Sequence, residues 1–152
     1  MTKIAEIIST VFYIGRLPIA PGTWCSFIAF LAWYLLRTYI QAEFILYASL
    51  VLFFIGVATT TIYSESIGQE DPPEIVIDEW VGQWIALWWL ELSFFWGLMA
   101  FFVFRLFDIW KPYPISYVDN NVKGALGIML DDIIASFYSI IILTIIFYFS
   151  GA

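Results

Sequence analysis

The chain has no histidine, and Cys25 is the only cysteine among its 152 residues. Zinc and copper sites draw mainly on imidazole and thiolate. These absences leave oxygen as the available ligand and a hard cation such as Mg²⁺ as the metal it suits. A lone thiol forms no intramolecular disulfide and marks no oxidising compartment. Positive charge is scarce too: six Lys and Arg stand against thirteen Asp and Glu, for a net charge of −7. That balance excludes the basic surface a nucleic-acid binder needs and the polybasic segment of an electrostatic membrane anchor. Charge of either sign is low, at 12% of residues, whereas 62% are hydrophobic and mean hydropathy is +0.90. This is the composition of an integral membrane protein, with length for one domain, taken as 1–152.

Long apolar runs are what the chain has instead. Trp24 to Ile40 is a candidate span, with Arg37 near its far end and able to snorkel. Phe44 to Ile62 and Ile133 to Phe149 carry no charge and are long enough to cross. The N-terminus does not read as a signal peptide, because Glu6 interrupts its apolar part and no small-residue cleavage site follows. Ile4, Ile7, Ile8, Val11 and Phe12 instead share one helical face, suited to lying in the membrane interface or packing on other helices. Pro18, Pro21 and Gly22 make a loop of Arg16 to Thr23, and Ser64 to Pro73 is a polar loop. No internal repeat or low-complexity linker is visible.

Trp80 to Phe104 admits two readings. As one helix it would hold Asp78 and Asp108 about 45 Å apart. Glu91-Leu92-Ser93 offers a turn, so that Trp80–Leu90 descends and Phe94–Phe107 returns as a partly inserted hairpin. The hairpin places Lys3, Arg16, Arg105, Lys111 and Lys123 on one face with only Arg37 opposite. That is the positive-inside distribution, which assigns the shared face to the cytoplasm. The expected fold is an all-α, multi-helical membrane bundle with an interfacial N-terminal helix and a partly inserted helical hairpin.

Most carboxylates gather on that same face. Ionised groups at the edge of a span are costly unless paired, metal-bound or hydrated. Asp78 and Glu79 open a helix, which is ordinary dipole chemistry or, with apolar residues on both sides, equally a metal site. Arg105 and Asp108 lie three apart on a helix, as an ion pair or as a phosphate-binding cation beside a metal-binding carboxylate. Lys111 closes that turn and Pro112 ends it. Gly124 and Gly127 allow close backbone approach. Asp131 and Asp132 abut the last span, where capping explains one of them but not both. Pro21-Gly22-Thr23 precedes a helix, whose free N–H groups and a hydroxyl suit phosphate, although an N-cap Thr is commoner. Carboxylates for a hard cation with Lys or Arg for phosphate oxygens form the mixture that metal-assisted phosphoryl chemistry uses. Cys25 stands outside it: Ser-Phe-Ile-Ala-Phe-Leu follows, with no Arg to close a phosphate loop, so it reads as a packing residue.

Ala20-Pro-Gly-Thr23, Ile75-Val-Ile-Asp-Glu79, Phe104-Arg-Leu-Phe-Asp108, Lys111-Pro-Tyr-Pro-Ile115 and Gly127-Ile-Met-Leu-Asp-Asp132 occur in that order. Together they resemble the signature blocks of the bacterial phosphatidylglycerophosphatase A family, over nearly the whole chain. Cys25 is the one departure, where the family's Pro-Gly-Thr-x-Gly-Ser block has Gly. The resemblance implies a Mg²⁺-dependent, all-α phosphatase of the bacterial inner membrane that converts phosphatidylglycerophosphate to phosphatidylglycerol. Asp78, Glu79, Asp108, Asp131 and Asp132 match the family's acidic positions, and Thr23, Arg105 and Lys111 its polar and basic ones. On physical grounds Asp78, Glu79, Asp131 and Asp132 are the expected Mg²⁺ ligands. Asp108 would activate water or attack phosphorus, while Arg105, Lys111, Gly22 and Thr23 would hold the phosphate of a lipid that stays in the bilayer.

Two rivals fit less of the chain. A lipid phosphotransferase would carry an Asp-Gly…Ala-Arg…Gly…Asp…Asp run that is missing. A small cation channel or transporter would need acids along its length, whereas the acidic clusters all lie on the shared face. Because no histidine or thiol set can hold a softer metal, chelation of divalent cations is expected to abolish phosphate release and added Mg²⁺ to restore it. Full turnover in excess chelator would remove the metal from the mechanism.

Overall fold

In the computed structural model, which describes residues 1–150, seven α-helices and one 3₁₀ turn (Ile14–Arg16) make up the regular structure, with no strand among the described residues. The helices are α1 Thr2–Ser9, α2 Pro21–Leu36, α3 Ala42–Ile67, α4 Ile77–Leu87, α5 Phe94–Trp110, α6 Ile115–Asn121 and α7 Gly124–Ser150. With 26 and 27 residues, α3 and α7 are long and apolar enough to cross a bilayer. At 1.5 Å per residue each reaches about 40 Å.

Both outrun the spans read from the sequence. α3 continues through Ile67, and Gly68 ends it in the left-handed conformation (φ 69°). α7 starts at Gly124 rather than Ile133, so Asp131 and Asp132 lie inside it. α2 starts earlier than expected and stops at Leu36, not Ile40. There Thr38 Oγ1 donates to the Leu35 carbonyl (2.6 Å) and Arg37 Nη1 to that of Ile40 (3.0 Å). These local bonds compete with the helical ladder. The short α6 has no counterpart among the elements read from the sequence.

The chain after Asp78 does reverse. α4 ends at Leu87, and the Ser93 hydroxyl caps α5 by accepting from the Trp96 N–H (3.5 Å). Arg105 then returns to within 3.8 Å of Glu79. One continuous helix would hold those two residues far apart, so the hairpin is the observed geometry.

Lipid tails are as apolar as these side chains, so close packing joins the helices. Two glycines permit it: a Cβ at Gly82 would lie 2.7 Å from the Phe104 ring, and one at Gly97 would lie 2.5 Å from Phe30. Across α2 and α4, Trp84 Nε1 donates to the Ala29 carbonyl (2.9 Å). On the outside Phe54, Phe102, Phe137 and Ile141 are all more than half exposed, a surface for lipid rather than water. α1 buries Ala5 on the α3 side while Ile4 faces outward; it stops at Ser9, so Val11 and the exposed Phe12, both left-handed, lie beyond it rather than continuing its apolar face.

One end of the bundle collects the polar groups. Lys3, Glu6 and Arg16 share a cavity with Tyr63 near the end of α3, and Lys123 shares another with Glu70 and Asp119. Single cysteines at Glu70 and Asn120, both exposed, should therefore react with an impermeant reagent from one side of the membrane, and one at Glu91 from the other. Native Cys25 is fully buried and gives no background. Opposite labelling of positions 70 and 120 would break the hairpin topology.

Candidate active site

Four helices meet at the polar end. α2 enters through Ala20, left-handed at φ 47°, and Pro21, whose fixed φ suits the first helical position. Thr23 is thus inside the first turn rather than the cap. A helix start leaves its first N–H groups without intrahelical acceptors, here including those of Gly22 and Thr23. A Cβ at Gly22 would lie 1.9 Å from a Glu79 carboxylate oxygen and 3.4 Å from Arg105 Nη1. Glycine is what lets that carboxylate stand against α2.

α4 opens on Asp78 and Glu79, placing negative charge at the positive end of its dipole. The segment delivering them is pinned three ways. The Cys25 thiol donates to the Val76 carbonyl (3.0 Å), the Val76 N–H donates to that of Ser9 (2.9 Å), and the Tyr63 hydroxyl donates to Glu74 (2.8 Å). Cys25 is buried as expected, and its thiol also anchors the chain just ahead of Asp78.

Asp78, Glu79 and Asp132 each offer a carboxylate oxygen within 4.8 Å of the others. Asp132 and its neighbour Asp131 are both buried, about two turns into α7, so capping accounts for neither. Asp78 Oδ1, Glu79 Oε2 and Asp132 Oδ2 are buried without hydrogen-bond partners. Carboxylates from two helices brought this close, each with an orphaned buried oxygen, are costly unless a cation joins them. An all-oxygen set of this kind fits Mg²⁺.

Asp131 faces elsewhere. Its Oδ2 accepts from Lys111 Nζ (2.6 Å) and its Oδ1 from the Asp132 N–H (2.9 Å). Lys111 also donates to Asp119 on α6 (2.6 Å). Asp119 had no helical spacing to Lys111 that could reveal it, because a helix end and a new helix separate the two. Lys111 is left-handed (φ 47°), which turns its side chain off the end of α5. Burial pulls the ammonium pKa down, but the bonds to Asp119 and Asp131 outweigh that, and the net shift is upward.

Arg105 ties Asp108 on α5 to Glu79 on α4. Its Nη1 pairs with Asp108 one turn on and lies 3.8 Å from Glu79, while its Nε is buried without a partner. The expected residues therefore separate into two neighbouring groups. Asp78, Glu79 and Asp132 cluster, with Gly22 against them and Asp108 tied in through Arg105. Asp131 and Lys111 form an ion pair with Asp119. Carboxylates for a cation, a guanidinium, an ammonium and free helix N–H groups are the set that receives a phosphate dianion.

The sequence pattern of the phosphatidylglycerophosphatase A family matches residues 7–147. Phosphatidylglycerophosphatase A of Escherichia coli K12 is 37% identical over 142 residues, covering 91% of this chain and 81% of that protein. The Haemophilus influenzae protein of the same name is 34% identical over 144 residues, covering 94% and 88%. A Bacteroides thetaiotaomicron protein provisionally named a phosphatidylinositol-3-phosphatase is 34% identical over 145 residues, covering 91% of each chain. No solved structure matches the chain.

The raised Lys111 pKa has a defined sign. Its ion pairs contribute fully below the ordinary lysine value of about 10.4 and are lost as pH rises through the higher folded value. Lys111→Met should lower the melting temperature by a constant amount between about pH 7 and 9, and that difference should shrink above about pH 10.5. A gap that stayed constant up to pH ~12 would show that the ammonium charge contributes nothing.

Proposed function

The chain belongs to the phosphatidylglycerophosphatase A family, and from that premise we propose Mg²⁺-dependent hydrolysis of the terminal phosphomonoester of phosphatidylglycerophosphate, giving phosphatidylglycerol and phosphate. Membership makes the protein a lipid phosphatase, a hydrolase of phospholipid synthesis. The finer reading is supported by one observation above all. Three carboxylates with orphaned buried oxygens stand beside Arg105 and next to the Lys111 pair, at one end of an apolar bundle.

In this reading Asp78, Glu79 and Asp132 hold the cation, which when bound neutralises phosphate oxygens and polarises the phosphorus. Arg105, Lys111 and the N–H groups of Gly22 and Thr23 bind the dianion. Asp131 and Asp119 position Lys111, and Arg105 orients Asp108. Asp108 takes the proton of the attacking water. The new bond from water oxygen to phosphorus forms as the bond to the glycerol oxygen breaks, and the departing oxygen takes a proton from solvent.

The site's position suits such a substrate, because a headgroup enters from the rim while acyl chains remain in the bilayer. Five of the six cations stand at this end, which by the positive-inside rule faces the cytoplasm of a bacterial inner membrane. The Bacteroides relative is named for a different lipid with the same reacting group, a phosphomonoester on the headgroup, so substrate choice needs both lipids.

Phosphate release is compared in mixed micelles for phosphatidylglycerophosphate, phosphatidylglycerol, phosphatidylinositol 3-phosphate and glycerol 3-phosphate. The first should turn over fastest. Phosphatidylglycerol should be inert, since its diester has one charge and no free end. Glycerol 3-phosphate should be at least about tenfold poorer, lacking the acyl anchoring that concentrates substrate at the site. Equal turnover of the diacyl lipid and glycerol 3-phosphate would remove the membrane from specificity. Faster turnover of the phosphoinositide would reassign the substrate.

A further inference from the structure

Gln83 is completely enclosed, and neither its Nε2 nor its Oε1 has a hydrogen-bond partner. An amide there brings two N–H donors and a carbonyl acceptor into an apolar bundle, and leaving them unmet is costly. Gln83 follows Glu79 by four residues on α4, so it lies on the same face one turn deeper. Helical side chains lean toward the N-terminus of their own helix, which tilts the Gln83 amide back toward Glu79. Ser26 stands in the same relation to Gly22 on α2, is equally buried, and its Oγ is also without a partner. Because Gly22 abuts Glu79, Gln83 and Ser26 belong to one layer beneath the carboxylates. The unmet needs are complementary: Gln83 Nε2 lacks an acceptor, while Glu79 Oε2, Asp78 Oδ1 and Asp132 Oδ2 lack donors.

We propose that Gln83 is a positioning residue for the cation centre: unpaired in the structure, its amide N–H would engage the Glu79 carboxylate from below, and its carbonyl the Ser26 hydroxyl, once a cation draws the carboxylates together. The inference rests on the Mg²⁺ reading above. A carboxylate that ligates through one oxygen is held in place by a donor at the other, and losing such a partner weakens metal affinity by about 10–100-fold. Gln83 lies a turn beneath the level at which the phosphate-binding groups gather, so its effect falls on the cation and not on substrate affinity.

Gln83→Met keeps length and removes every donor and acceptor of the amide. Mn²⁺ binding to the purified, non-turning-over protein, followed by electron paramagnetic resonance, should weaken by about 10–100-fold. The cation-free variant should melt at the parent's temperature or higher, since an unmet amide gives way to an apolar chain in an apolar layer. KM for lipid at saturating Mg²⁺ should not change. A purely structural glutamine predicts the reverse pattern, a lower melting temperature with Mn²⁺ affinity intact, and that result overturns the proposal. Gln83→Leu serves as a second variant if the methionine chain does not pack. A parent protein that binds no Mn²⁺ would overturn the Mg²⁺ reading and this inference together, whereas equal binding by parent and variant overturns this inference alone.

Discussion

Three carboxylates held within 4.8 Å of one another at the rim of an apolar bundle are the constraint the rest of the molecule accommodates. Like charges at that separation repel, and the low dielectric around them magnifies the repulsion. No local device could assemble them, since Asp78 and Glu79 come from α4 and Asp132 from α7. The helices must first be pressed together, and Gly82 does this: a Cβ there would lie 3.1 Å from the Asp132 Cβ. Gly22 then admits the Glu79 carboxylate to the start of α2, and Arg105 comes back along the hairpin to meet it. A fold selected for stability alone would replace such a cluster by apolar residues. A cluster that costs stability in this way is where function is expected.

Val11, Phe12 and Tyr13 are left-handed in the turn after α1, and the other two such non-glycine residues among those described border the site. Ala20 and Lys111 both have φ 47°, one entering α2 and the other leaving α5. A side chain in the left-handed region costs about 1–2 kcal/mol, and residues held there cluster at functional sites. Each has an identifiable consequence here. Ala20 directs the first turn of α2 at Glu79, and Lys111 sends its ammonium to Asp119 and Asp131. Cys25 adds an anchor of a different kind: its thiol ties α2 to the segment that delivers Asp78.

The hairpin explains how a membrane bundle keeps its chemistry at one surface. Its arms have 11 and 17 residues, about 16 and 26 Å long. The shorter arm falls well short of a crossing, so Arg105 and Asp108 return to the level of Asp78 rather than emerging on the far side. Beneath the site Phe30, Trp33, Leu87 and Leu143 are fully buried and fill the interior.

Composition and helical periodicity, both local properties, determined a good deal on their own. They point to the all-helical membrane class and the acidic clusters at one end, and the distribution of six cations favours the reversal after Asp78 that the structure then shows. The ordered motif blocks identify the family because they record chemistry position by position. Helix ends were less legible: Thr38, Arg37 and Gly68 stop their helices through hydrogen bonds and φ values that hydropathy does not register. Which carboxylate meets which partner was decided by tertiary structure alone. Asp131 and Asp132 are adjacent in sequence, yet successive helical residues point about 100° apart. One therefore meets Lys111 while the other meets Asp78 and Glu79. Asp119 and Gln83 acquire meaning only through the neighbours that α5, α7 and α2 bring to them. Those neighbours depend on the rotation and crossing of separate helices, quantities that no stretch of sequence contains.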